Sequence, residues 1–310
     1  MRYDDFRRSE DIDDRRDDGA GGGTRIPGGP GGLGIGTVLV LGLVGWALGI
    51  DPRLLIGGAE ILSGGGSSYQ QPYQPTRNRQ TGKPTDEVGD FVAAVLGENQ
   101  DRWREIFTKY NRNYRRARLV LFSGGTVSGC GQAQTAMGPF YCPRDEQIYL
   151  DTTFFKEIET RFRGCQGKSA CRFAQAYVIG HEFGHHVQNL LGILPKVQDM
   201  QRGLDRAEAN RLQVRVELQA DCFAGLWANQ ERAYLKAQGK ADFLEPGDID
   251  AALQTASAIG DDTLQRSAGR QVVPDSFTHG SSEQRKRWFT KGFQQGTIDA
   301  CNTFSAAAKL

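Results

Sequence analysis

The hexapeptide His-Glu-Phe-Gly-His-His at positions 181 to 186 holds three of the four histidines in the chain, and it dictates the local fold. If the stretch from Phe173 to Leu191 is helical, His181 and His185 stand four residues apart, about 40° around the axis. They then project from one face a single turn apart. Two imidazoles so placed chelate zinc, and Glu182, about 100° round the same helix, stands where a base beside a metal-activated water is needed. His186 points elsewhere and is not expected to ligate. The preceding residues Phe173, Ala174, Ala176, Tyr177, Val178 and Ile179 are apolar, so the helix should enter a core. An unpaired His/Glu cluster there would be costly, and a bound cation removes that cost.

Zinc needs a third protein donor. The metzincin continuation is missing, because Gln188 and Leu191 occupy the places of its Gly and third His. The next helical segment, Asp205 to Gln238, carries Arg-Val-Glu-Leu-Gln-Ala-Asp-Cys-Phe at 215 to 223. Glu217 and Asp221 share a face at four-residue spacing, bordered by an apolar stripe of Leu212, Val216, Ala220, Phe223, Ala224 and Trp227. Glu217 is the expected ligand. Asp221 is expected to accept a hydrogen bond from the outer nitrogen of His181 or His185. The competing readings make Asp221 the ligand, or pair both carboxylates with Arg211 or Arg215 on a solvated helix.

A Glu ligand followed four residues later by such an Asp resembles the gluzincins. The segments at 181–189, 217–225, 259–262 (Ile-Gly-Asp-Asp), 276–285 (Ser-Phe-Thr-His-Gly-Ser-Ser-Glu-Gln-Arg) and 301–304 (Cys-Asn-Thr-Phe) together resemble the bacterial family described as putative neutral zinc metallopeptidases. The resemblance spans nearly the whole chain. It implies a zincin-like domain of α+β class, predominantly helical, with Zn2+ on His181, His185 and Glu217, hydrolysing peptide bonds with Glu182 as general base. It also implies a membrane anchor, and it names no substrate. His279 and Arg285 resemble the C-terminal element of several gluzincins: His279 would face the zinc as a donor to the oxyanion, and Arg285 would anchor the loop or a carboxylate. The alternative for His279 is a plain loop or capping residue. A non-catalytic binding module with a structural zinc, and a zinc amidase acting on cell-wall material, are the competing functions.

At 310 residues and 38% hydrophobic content the chain can build one sizeable domain with appendages, and its net charge of +1 excludes a general nucleic-acid-binding role. Residues 1–32 interleave six arginines with eight acids among many glycines and read as a disordered cytoplasmic tail. The uncharged run at 33–50, Leu33 to Ile50, is long enough for one transmembrane helix. Arg15, Arg16 and Arg25 before it, against Arg53 after it, put the N-terminus in the cytoplasm and the rest in the periplasm or outside the cell. Residues 51–85 form a linker rich in Gly, Ser, Gln and Pro, and 86–310 the metallopeptidase domain. The partners expected are therefore a peptide or protein substrate and the lipid bilayer.

The six cysteines lack metal-ligand spacing and suit an oxidising compartment. Their connectivity is not fixed by sequence, though Cys130 with Cys142 and Cys165 with Cys171 are the economical local pairs, leaving Cys222 with Cys301. Within the domain, helices are expected around 91–96, 103–110 and 154–162, and a strand at 119–122. A hairpin is expected from 140–142 and 147–150, whose edge could align an extended peptide. Tyr141 and Tyr149 in that hairpin read as packing residues.

Overall fold

A computed structural model describes residues 1–19, 80–81, 84, 86–134, 138–160, 165 and 167–308. Among these, helix α1 (Glu87–Lys109) begins at Asp86, whose side chain accepts the backbone N–H of Gly89 as an N-cap. The two helices expected at 91–96 and 103–110 are one. The polar stretch between them, Glu98, Asn99 and Gln100, is itself buried, so it continues the helix instead of breaking it.

The sheet is larger than a hairpin. Strands β1 (Ile12–Asp14), β2 (Gln80–Thr81), β3 (Arg118–Phe122), β6 (Phe140–Cys142) and β7 (Gln147–Asp151) form one sheet in the order β2-β1-β3-β7-β6. β1, β3 and β7 run parallel, and β2 and β6 close the two ends antiparallel. The expected hairpin is thus β6–β7. A separate two-stranded ribbon pairs β4 (Gly125–Ser128) with β5 (Gly131–Gln134).

The remaining elements are helical: α2 (Thr153–Thr160), α3 (Lys168–Leu190), α4 (Ile193–Gln201), α5 (Arg206–Ala237), α6 (Asp248–Ala258), α7 (Asp261–Ser267) and α8 (Ser282–Gln295). The class is α+β and predominantly helical, as expected. Small residues set the helix spacing. A Cβ on Gly184 of α3 would lie 3.0 Å from the backbone of Ala220 in α5, and one on Gly292 of α8 would lie 1.9 Å from the carbonyl oxygen of Cys222. These seams bring α3 and α8 onto opposite flanks of α5, around a core that includes Tyr177, Phe183, Phe223, Trp227 and Phe289.

The reading of 1–32 as a disordered tail is corrected for residues 1–19. Met1–Gly19 and Asn78–Leu310 belong to one compact unit. Phe6 and Ile12 are buried in the main core, and the arginines that made the segment look soluble are partnered. Arg7 donates to Asp101 at 2.6 Å, Arg8 to Asp90 at 2.7 Å, and Arg16 to Asp86 at 2.6 Å. The expected anchor at 33–50, and nearly all of the linker at 51–85, lie outside the described residues. Among the described residues no helix is long and apolar enough to cross a membrane.

All six cysteines are paired as the economical reading has it: Cys130–Cys142, Cys165–Cys171 and Cys222–Cys301.

Candidate metal centre

The apolar stretch at 173–179 drives α3 into the core, and its continuation carries His181 and Glu182 to only 6% and 8% exposure. Gly184, one turn from Gly180 on the seam with α5, allows the approach that brings Glu217 to the histidines. Glu217 Oε2 stands 3.2 Å from His181 Nε2 and 3.5 Å from His185 Nε2. One ligand atom from each of the three residues lies within 4.8 Å of the others.

The outer nitrogens are both taken. His181 Nδ1–H donates to Asp221 Oδ1 at 2.8 Å, and His185 Nδ1–H to Gln188 Oε1 at 2.9 Å. Each bond selects the tautomer whose Nε2 lone pair faces Glu217. Gln188 is in turn held by the Val216 carbonyl at 2.7 Å and by Gln219 at 3.1 Å. The donor set, two imidazole Nε2 atoms and one carboxylate, fits a zinc ion that would displace the protons pairing them in its absence.

Asp221 stands outside that group of three, on the outer nitrogen of His181. Its carboxylate also accepts Tyr177 Oη–H at 2.6 Å and both Nε–H and Nη2–H of Arg285 at 2.9 Å. Burial favours its neutral form, but Arg285 and His181 prevail and hold its pKa at about 2. Burial raises the Tyr177 pKa well above the usual phenol value, so Tyr177 stays a neutral donor. Arg285 is buried at 2% exposure and anchors this carboxylate. The pairing of Glu217 or Asp221 with Arg211 or Arg215 does not form: Arg211 reaches Asp275, and Arg215 donates to the Thr303 carbonyl.

Electrostatics favour a cation between these groups. Burial lowers the pKa of both histidines, yet the nearby carboxylates outweigh it. His181 is raised through Asp221 and Glu217, and His185 is raised to about 9 chiefly through Glu217. Glu217 is held well below the ordinary glutamate value by the same histidines, against the effect of burial. The site thus favours positive charge, whether carried by protons or by a metal ion.

Glu182 makes no hydrogen bond or ion pair with any described residue, and its charge acts on His185. His186 turns to the sheet. Its Nε2–H donates to the Arg115 carbonyl at 2.8 Å and its Nδ1 pairs with the Tyr141 hydroxyl at 3.1 Å, which itself accepts from Asn189 at 3.1 Å. Tyr141 and Tyr149 are packing residues, as expected.

His279 sits on the loop before α8. Asp261 Oδ2 accepts the backbone N–H groups of Thr278, His279 and Gly280 at 2.8, 2.6 and 3.0 Å and so shapes that loop. Gly280 packs against Val214 and Leu218 of α5, which carries His279 within the electrostatic reach of Glu217. Its ring is 51% exposed. Among the described residues only Nδ1 is engaged, by Thr278 and Asp261, and Nε2 has no partner there. The loss of hydration lowers its pKa, but the Asp261 bond and the Glu217 charge raise it above the ordinary value.

Sequence reasoning missed Tyr177 and Gln188. Both were within its reach: Tyr177 lies four residues before His181 and Gln188 three after His185, on the faces that the ligands occupy.

The chain is 43% identical over 309 residues to the uncharacterized protein YpfJ of Escherichia coli (strain K12), covering 98% of this chain and 99% of that one. It is 39% identical over 274 residues to the uncharacterized protein Mb2605 of Mycobacterium bovis (strain ATCC BAA-935 / AF2122/97), covering 84% and 85%. No solved structure matches it. Residues 1–304 match the family described as "Putative neutral zinc metallopeptidase", a span that includes the N-terminal segment as well as the donor set, and the chain belongs to that family.

Proposed function

We propose that the chain is a zinc-dependent peptidase whose metal is held by His181, His185 and Glu217. One observation carries the reading. Two imidazoles, each fixed by a hydrogen bond at Nδ1, converge through Nε2 on Glu217 beside a Glu182 carboxylate that has no partner among the described residues. A bound zinc ion would supply Lewis-acid polarisation of an amide carbonyl and acidification of water.

The chain's own groups supply the rest. Glu182 takes the proton of the attacking water and returns it to the leaving amine. His279 offers its free Nε2–H to the charge that develops on the carbonyl oxygen. Tyr177, Asp221 and Arg285 act through His181, holding its ring and tautomer. Strand β6 ends the sheet, and its Tyr141 is bonded to His186 on the metal-binding helix. An extended peptide pairing along β6 would lie next to that helix.

The three disulfides support work outside the cytoplasm. A structural zinc would need a fourth protein donor. Among the described residues none joins the three, and His279 is turned to Asp261.

Glu182→Gln should retain zinc and fold normally while losing hydrolysis of a peptide library. A Glu182→Gln protein that cleaves peptides at the wild-type rate would overturn the proposal.

A further inference from the structure

The N-terminal segment carries an unusual set of long-range bonds for residues that precede an apolar run. β1 lies parallel to β3, with Ile12 opposite Leu119, Asp13 opposite Val120 and Asp14 opposite Leu121. Before the strand, the chain runs along α1. Ser9 N–H donates to the Ala93 carbonyl at 2.9 Å, Arg7 N–H to Glu98 at 2.8 Å, and Gln100 reaches back to Asp11 at 3.0 Å.

Helix α1 is shaped for this strand of chain. A Cβ on Gly97 would lie 2.0 Å from the Arg7 carbonyl oxygen, so α1 has a glycine where the segment crosses it. After the strand, Arg15 N–H donates to the Leu121 carbonyl at 2.7 Å and its guanidinium pairs with Asp13. The chain re-enters the unit at β2, paired antiparallel with β1 through Asp13 opposite Thr81 and Asp14 opposite Gln80. Departure and return are therefore on neighbouring strands of one sheet.

A helix that crosses a bilayer once puts the residues before and after it on opposite sides. Backbone pairing of β1 with β3 is impossible across a membrane. Arg15 and Arg16, which read as cytoplasmic topology signals, are instead held by Asp13, Asp14 and Asp86. We infer that Met1–Gly19 and the metallopeptidase domain lie on the same side of any membrane. This holds whether or not the peptidase proposal is correct.

Membrane-impermeant maleimide labelling tests it on the full-length chain, whose native cysteines are all in disulfides. Glu10→Cys and Lys240→Cys each place one thiol at an exposed position, one in the segment and one in the domain. In intact bacterial spheroplasts the two variants should behave alike, both labelling before permeabilisation or both only after it. Labelling of Lys240→Cys in intact cells with Glu10→Cys reacting only after lysis would overturn the inference, as would the reverse. Asp5→Cys, also exposed, repeats the measurement should the Glu10 variant fail to accumulate.

Discussion

Asp221→Asn is the most informative single change at this site, because the side chain keeps its shape and loses its charge. The carboxylate sits at 0% exposure between Arg285, Tyr177 and His181. An asparagine can still accept from Tyr177, His181 and Arg285 Nη2–H through the oxygen in the place of Oδ1, but its NH2 group then faces Arg285 Nε–H, which now donates to Oδ2 at 2.9 Å. Arg285 is 2% exposed and has no second carboxylate among its partners. Removing one member of a buried ion pair costs about 3–5 kcal/mol. At roughly 2–4 °C per kcal/mol for a domain of this size, the metal-free Tm should fall by roughly 6–20 °C. The loss of the bond to His181 Nδ1 should separately weaken zinc binding by about 10–100-fold. Thermal unfolding without metal and chelator competition for zinc read the two effects apart. A variant with a metal-free Tm within about 2 °C of wild type and unchanged zinc affinity would refute the assigned role of Asp221.

Two further outcomes follow from the same geometry. In the metal-free protein the raised His185 pKa, about 9 against an ordinary 6.5, means its proton stabilises the fold fully below pH 6.5. That contribution is lost as pH rises through 9, while zinc, which must displace the proton, binds more tightly by up to about tenfold per pH unit over the same window. Zinc affinity that stays flat from pH 6.5 to 9 would contradict this. Gly292→Ala places a Cβ 1.9 Å from the Cys222 carbonyl oxygen and must push α8 off α5. A loss of about 2 kcal/mol or more is expected in thermal unfolding, and an unchanged Tm would show that the helices are not in such close approach.

The convergence of His181, His185 and Glu217 was legible because its information is local. The i, i+4 spacing of His181 with His185 and of Glu217 with Asp221 fixes which groups share a face as soon as the segments are helical. The Gly184 and Ala220 seam then needs only to bring two faces together. The N-terminal segment was illegible for the opposite reason. Its signal is complementarity with residues far along the chain: Arg7 with Asp101, Arg8 with Asp90, Ser9 with Gln100. Taken alone, such residues have the composition of a solvated tail, and Ile12 and Phe6 are too few to set a period. The same blindness split α1 in two, because Glu98, Asn99 and Gln100 look like a break until the partners of Glu98 and Gln100 in the segment are known. For His279 the resemblance to a gluzincin C-terminal element suggested a place facing the site, but the bonds that shape its loop come from Asp261, which no spacing rule connects to it.

The disulfide between Cys222 and Cys301 closes a ring of sequence separation 79. That ring starts one residue after Asp221 and contains Asp261, His279 and Arg285, so one covalent bond encloses all three. Chain-entropy arithmetic gives such a closure about 4.5 kcal/mol of stabilisation. For a chain emerging reduced, His181, His185 and Glu217 can meet through α3 and α5 alone, while the segment that carries Asp261, His279 and Arg285 is tied to α5 only after oxidation. Its closure is in this sense a post-translational property, acquired where thiols are oxidised and withheld where they are not.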